Sequence, residues 1–165
     1  MSMLRERPPV ISIRQLGPED AGPVAALHAG VFPRPWGAEE FRRLLTGTGT
    51  LGLAAHLPTE DDYAGFALAR TVLDEAEILT LGVRPERRRL GYAGALLAAL
   101  ANRAARRGCL RLYLEVAEDN HPALGLYRAH GFRQVGRRPD YYRLGDGSTR
   151  AGLVLARPVS APADV

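Results

Sequence analysis

Residues 87–100, RRRLGYAGALLAAL, pass from three arginines through two glycines and an alanine into a run of leucine and alanine. A helix N-terminus presents unpaired N–H groups and the positive end of the helix dipole, and small residues there let a ligand reach the main chain itself. The stretch therefore has the outline of a phosphate seat. Leu96, Leu97, Leu100 and Ala104 fall on one face of the helix it opens, Arg103, Arg106 and Arg107 fall opposite, and Gly108 is placed to end it. EAEILTLGV (75–83) before it and CLRLYLEV (109–116) after it read as strands. The helix is then a crossover between two adjacent, nearly parallel strands, with the glycine-rich turn at the carboxyl end of the first, where α/β sheets bind ligands.

The remaining periodicities supply the order of elements. VISIRQL (10–16) alternates as a strand does, GPEDAGPVAALHAGVF (17–32) has a turn, acids and then helical spacing, and a short helix resumes from about Ala38 after Pro33 and Pro35. TLGLAAHL, YAGFALARTVL and EAEILTLGV read as an antiparallel meander whose acidic turn, TEDDY, is expected to be a solvated hairpin. HPALGLYRAHG reads as a short helix closed by Gly131. FRQVGRR and RAGLVLARPV read as the last strands, with Tyr141 and Tyr142 in the loop between them. The expected order is strand, two helices, three strands, helix, strand, helix, two strands: a mixed α/β domain on a mostly antiparallel sheet.

With 165 residues, 46% hydrophobic and 24% charged, the chain has the content of one globular domain, expected over 1–165 with a folded core at about 10–158 and a loose APADV tail. MSMLRERPPV holds no apolar core of signal length, and no apolar run nears the about 20 residues of a membrane span, so a cytoplasmic setting away from membranes is expected. The single cysteine, Cys109, excludes an internal disulfide and reads as a small buried residue starting a strand. No metal site is expected without a second cysteine or a histidine pair at helical ligand spacing. All 22 basic residues are arginine, which excludes chemistry that needs a lysine: Schiff bases, pyridoxal phosphate, the P-loop. Among the four histidines, His28 and His56 read as ordinary helix and strand positions and His130 as part of a helix end. Only His121 falls near the proposed site, and no Ser-His-Asp arrangement suggests itself.

A dinucleotide-binding turn would follow the first strand as G-x-G-x-x-G and would need a second mononucleotide half. Here the turn follows the fourth strand and one crossover leaves no room. ILTLGVRPERRRLGYAGALL instead resembles the acetyl-CoA motif of the GNAT N-acetyltransferases, Arg/Gln-x-x-Gly-x-Gly/Ala, matched by Arg88, Arg89, Leu90, Gly91, Tyr92 and Ala93. LYLEVAEDNHPALGLYRAHGF is similar to the second half of the same family. Within it, FPRPW and RRPDYYRLGDGS resemble the bacterial RimI branch, the ribosomal-protein alanine N-acetyltransferases.

The resemblance implies the GNAT fold and acetyl-CoA as donor, with no metal. It implies that the N–H groups from Arg89 to Gly94 face the coenzyme pyrophosphate, with Gly91 and Ala93 keeping side chains clear. It further implies that Leu81, Gly82 and Val83 bind the pantetheine arm like an added strand, an N–H near Val83 facing the thioester oxygen, and that Asn120 contacts the coenzyme. Glu115 matches the general base of the branch, and Tyr127 the tyrosine that protonates the coenzyme sulfur. By position alone Glu115 reads as an acid at a strand edge, Tyr127 as a core aromatic and Asn120 as a helix N-cap or turn residue. Arg84, Arg87, Arg88 and Arg89 read as a solvated basic patch whose summed field attracts the anionic coenzyme. Trp36, Tyr141 and Tyr142 are the candidates for acceptor walls.

The chain departs from the branch at Thr149, Arg150 and Ala151, where an acidic pair is usual. The function expected is acetyl transfer to the N-terminal α-amine of a protein. The alternatives are a GNAT enzyme for a small amine, amino acid or antibiotic, and a non-catalytic coenzyme A or nucleic-acid-associated module. Against the last, no nucleic-acid-binding motif accompanies the arginines, and no direct nucleic-acid contact is expected. A monomer or homodimer is expected.

Overall fold

The computed structural model describes residues 10–160, and the APADV tail lies outside them. Strands β1 (Ser12–Gln15), β2 (Thr50–His56), β3 (Gly65–Val72), β4 (Glu75–Val83), β5 (Arg111–Ala117), β6 (Arg133–Arg143) and β7 (Thr149–Pro158) form one seven-stranded sheet in the order β1-β2-β3-β4-β5-β7-β6. Helices α1 (Ala21–Ala29) and α2 (Ala38–Thr46) precede β2, α3 (Tyr92–Arg106) joins β4 to β5, and α4 (His121–Ala129) follows β5. All neighbouring strands are antiparallel except β4 and β5. This is the mixed α/β fold that the order of sequence signals predicts. Among the described residues no helix is long and apolar enough to cross a membrane.

Period-two alternation gives each face of the sheet its own core. Leu51 and Leu53 of β2, Ala67 and Ala69 of β3 and Ala76 and Ile78 of β4 pack with Leu96, Leu97, Leu100 and Ala104 of α3. On the opposite face Ala54, Phe66 and Leu68 pack with Val24 and Leu27 of α1 and Phe41 of α2. In β5, Leu112, Leu114 and Val116 join the α3 core, so Glu115, between two of them, belongs to the α1 and α2 face. Gly108 closes α3 with φ +84° and Gly131 follows α4 with φ +87°, left-handed conformations in which a side chain would be strained.

Strands β4 and β5 are paired only through Glu75–Arg111, Ala76–Leu112 and Glu77–Tyr113. Beyond these, β4 carries a bulge, with Leu68 opposite Thr80 but Ala69 opposite Ile78, so that Leu79 is the extra residue. A bulge bends its strand and increases the local twist, and the two strands part towards their carboxyl ends. The parting creates the cleft described below.

Two expectations are corrected. Tyr141 and Tyr142 lie within β6 rather than in a loop, beside a register shift between Arg138 and Tyr142 that includes Asp140 at φ +55°. Cys109 is buried as expected but sits in the turn ahead of β5, its N–H donating to the Ala104 carbonyl (3.0 Å).

Candidate active site

A cleft of about 1260 Å³ occupies the parting of β4 and β5 and extends over the turn into α3. Its first wall is main chain. Arg84 N–H donates to the Ala64 carbonyl (2.8 Å) on the β3 side. By strand alternation Val83 and Leu81 turn their N–H groups the other way, into the cleft, where β5 no longer pairs with them. A Cβ on Gly82 would stand 2.9 Å from the Phe66 ring and 3.2 Å from Val31 Cγ1, so the strand lies flat against the α1 side only because position 82 is glycine.

The turn continues that wall. Arg88 N–H closes back to the Pro85 carbonyl and Ala95 N–H to the Gly91 carbonyl. The N–H groups from Arg89 to Gly94 have no main-chain acceptor among the described residues. Arg89 (φ +62°) and Gly91 (φ +93°, the N-cap of α3) are both left-handed, which curls these donors into a concave nest at the positive end of a 15-residue helix. Such a nest, beside an unpaired strand edge, suits a ligand with an anionic group at one end of an extended amide chain. The arginines around it are less free than a solvated patch: Arg84 Nε donates to Tyr63 O (2.6 Å), Arg87 pairs with Glu60 (2.7 Å) and Arg88 Nε donates to Val83 O (3.3 Å). The TEDDY turn is thus tied to the nest through Glu60 and Tyr63. Tyr63 also donates to the buried Asp20 (3.0 Å).

The second wall presents side chains. Glu115 projects from β5 with its side chain 20% exposed, and its Oε1 is buried without a hydrogen-bond partner. That oxygen rests on Gly152, where a Cβ would stand 2.6 Å away, and Arg138 Nε lies 3.7 Å from it. Tyr142 lines the same space; burial, with the Glu115 carboxylate and Tyr141 beside it, pushes its phenol up. Tyr127 enters from α4 on the opposite face of the sheet, edge-on to Phe132 (5.6 Å), and burial pushes its phenol up to about 12. A carboxylate and a protonated phenol therefore reach one cleft from opposite faces of the sheet, as a base and an acid acting on two reactants would.

Most sequence-derived candidates meet here: Leu81, Gly82, Val83, Arg88, Arg89, Gly91, Tyr92, Ala93, Gly94, Glu115, Asn120, Tyr127 and Tyr142 all line the cleft. Asn120 is also the N-cap of α4, its Oδ1 accepting from Ala123 N–H (3.3 Å), so only its amide group remains for a ligand. Leu90, Trp36 and Tyr141 do not line it. Leu90 is 57% exposed, its side chain open to solvent, and Trp36 packs with Val31 and Phe32 in the core on the α1 and α2 face. Sequence reasoning missed Val31, Phe32, Thr80 and His130. The imidazole of His130 fills the space a Gly94 side chain would need, 2.8 Å from that Cβ position.

Comparison with known proteins agrees with this geometry. Residues 23–132 match the model of the acetyltransferase (GNAT) family. The [ribosomal protein bS18]-alanine N-acetyltransferase of Haemophilus ducreyi is 38% identical over 113 residues, 68% of this chain and 78% of that protein. Its namesake from Escherichia coli K12 is 34% identical over 126 residues, 76% and 82% of the two chains. The crystal structure of the ribosomal-protein-S18-alanine N-acetyltransferase from E. coli superposes with a TM-score of 0.82 over 94% of this chain and 99% of that one, at 29% identity. Arabidopsis thaliana NAA60 in complex with a bisubstrate analogue does so with 0.79 over 93% and 100%, at 25% identity. The unpaired edge of β4, the N–H nest and the match over 110 residues have one conclusion: the chain belongs to the GNAT acetyltransferase family.

Proposed function

We propose that this acetyltransferase, acting as a single domain, carries acetyl from acetyl-CoA to the α-amine at a protein N-terminus, of the alanine-first ribosomal-protein type for which its relatives are named. The observation that carries the reading is the buried Oε1 of Glu115 at the parting of the strands, which has no hydrogen-bond partner and only the Arg138 guanidinium at 3.7 Å. A carboxylate oxygen left without a donor inside a protein is costly, and an incoming ammonium supplies the donor. Glu115 takes the proton that the ammonium must lose to expose its lone pair. The Val83 N–H meets the charge that grows on the thioester oxygen during attack. Tyr127 donates its O–H to the departing sulfur; the dry surroundings that hold the phenol's proton also make a thiolate more basic, which favours the transfer. Leu81 and Gly82 would hold the pantetheine arm along the strand edge, and the nest from Arg89 to Gly94 the pyrophosphate, with Asn120 lending its amide.

An α-amine titrates near 8 and a lysine side chain near 10.4, so at pH 7.5 their neutral fractions differ by roughly two orders of magnitude, about 3 kcal/mol that the site need not supply. A lone carboxylate is then an adequate base. Val31 and Phe32 on the β4 side and Tyr142 on the β5 side line the slot in which the amine would enter, and a small first side chain is expected there. Mass spectrometry of a reaction on peptides with a free N-terminal alanine and an internal lysine, beside a panel of small amines, tests the reading. Acetyl on the terminus supports it; acetyl mainly on the lysine, or turnover of a small amine alone, rejects it.

A further inference from the structure

His28 is 3% exposed in the last turn of α1, where a leucine or phenylalanine would fill the same space without a polar atom to satisfy. Its imidazole is enclosed by four aromatic rings: Phe32 (centroids 4.3 Å, stacked), Trp36 (5.2 Å, stacked), Phe41 of α2 (5.2 Å, edge-on) and Phe66 of β3 (5.6 Å). None of these carries a charge, and burial alone pushes the imidazole pKa down, so the ring stays neutral. Its Nδ1 accepts from the Trp36 N–H (3.2 Å), which puts the proton on Nε2.

The connection between α1 and α2 has few other fastenings. Val31 and Phe32 N–H groups donate to the His28 carbonyl (3.1 and 2.9 Å), Pro33 and Pro35 have no N–H to give, and the next side-chain bond is the one from Trp36. The segment is therefore folded around residue 28, with one end held by its carbonyl and the other by its ring. Val31 and Phe32, between those fastenings and the cleft, form the wall across from Tyr142. Val31 and the Phe66 ring both press on Gly82 of the strand edge. The imidazole is thus one ring removed from the strand that faces the donor.

We infer that His28 is the positioning residue of the acceptor wall: by gripping the Trp36 N–H and stacking on Phe32 it fixes the width of the slot that receives the amine-bearing substrate. The inference rests on the acceptor assignment above for where the amine enters, but not on which amine it is.

His28→Phe keeps the aromatic stack and removes the acceptor atom, whereas His28→Asn restores an acceptor near the position of Nδ1 without the full ring. The Phe variant raises KM for the acceptor about tenfold, the worth of one hydrogen bond, while kcat and the affinity for acetyl-CoA stay within about twofold. The Asn variant recovers most of that loss. Trp36 is the only tryptophan in the chain, so its fluorescence reports on this segment without any turnover: emission shifts to the red in the Phe variant and stays near the parent's in the Asn variant. An unchanged acceptor KM with unchanged emission in the Phe variant overturns the inference. So does a parallel fall of kcat, acetyl-CoA affinity and melting temperature in both variants, which a merely structural residue would produce. If the parent enzyme turns over a small amine and no peptide, the protein N-terminus reading fails while the same measurements with that amine still decide the role of His28.

Discussion

On the β4 side of the cleft the groups that face a ligand are main-chain N–H donors, from Leu81 and Val83 and from the turn between Arg89 and Gly94; on the β5 side they are the side chains of Glu115 and Tyr142, with Arg138 behind. The two sides are vulnerable to different changes. A wall of main chain depends on conformation, so it tolerates exchange of an outward side chain such as Leu90 and fails when a backbone angle is lost. A wall of side chains depends on identity, and it can be retuned one residue at a time while the sheet stays as it is. The departure at Thr149 and Arg150 falls on this second side, where Arg150 pairs with Asp119 (2.6 Å).

Substitutions can break or sharpen the contrast. The largest effect is expected on the side-chain wall: Glu115→Gln keeps the shape and removes the base, lowering kcat/KM on the order of 100-fold to 10,000-fold at neutral pH, with the deficit shrinking as pH rises and the amine deprotonates unaided. A deficit of constant size across the pH profile would mean that Glu115 only binds. Next, Gly91→Trp obstructs the nest and should weaken acetyl-CoA binding by calorimetry on the order of 100-fold, the loss of one or two charge-assisted hydrogen bonds. Gly91→Ala separates conformation from bulk. A Cβ there meets only Ile11 Cδ1, at 3.7 Å, so a loss of roughly fivefold to thirtyfold would come from the left-handed backbone, at about 1–2 kcal/mol. Equal affinity in both variants and the parent would move the coenzyme site elsewhere.

Tyr127→Phe retains the ring packed on Phe132 and should lower kcat roughly tenfold to 100-fold with little change in coenzyme affinity. The effect is smaller than that at Glu115 because a thiolate, whose thiol titrates near 8.5, is already a fair leaving group. Unchanged turnover would return Tyr127 to a packing role. The smallest effect is expected for Leu90→Ala, within about twofold in both acetyl-CoA affinity and kcat, since its side chain is exposed and does not line the cleft. A larger loss would show that the first wall reads side chains after all.

The main-chain wall was legible in the sequence because its determinants are local. The strand 75–83, the small residues at 91, 93 and 94 and the glycine at 108 lie within one crossover, and the observed bounds of β4 are those the periodicity predicts. The acceptor wall was less so, because its parts come from distant segments. His28 looks like any helix residue until Phe66, 38 positions on, closes the box around it. Trp36 carries the conspicuous ring, yet Val31 and Phe32 are the ones that face the cleft. Of β6 only the part within FRQVGRR carries a strand signal in the sequence, because most of the strand is exposed at the edge of the sheet, where no buried face imposes alternation, and because Pro139 and Asp140 look like a turn where the register only shifts.

The parting of β4 and β5 has a further consequence for the life of the protein. From Ile78 onward β4 is a raw strand edge in the middle of a sheet, the kind of surface at which chains mispair and aggregate. Whatever lies along it also shields it. A donor bound there would stabilise the native state, by about 2.7 kcal/mol at a hundred times its dissociation constant. Resistance to heat and proteolysis should therefore rise when acetyl-CoA is added, which a thermal melt and limited proteolysis with and without the donor would check.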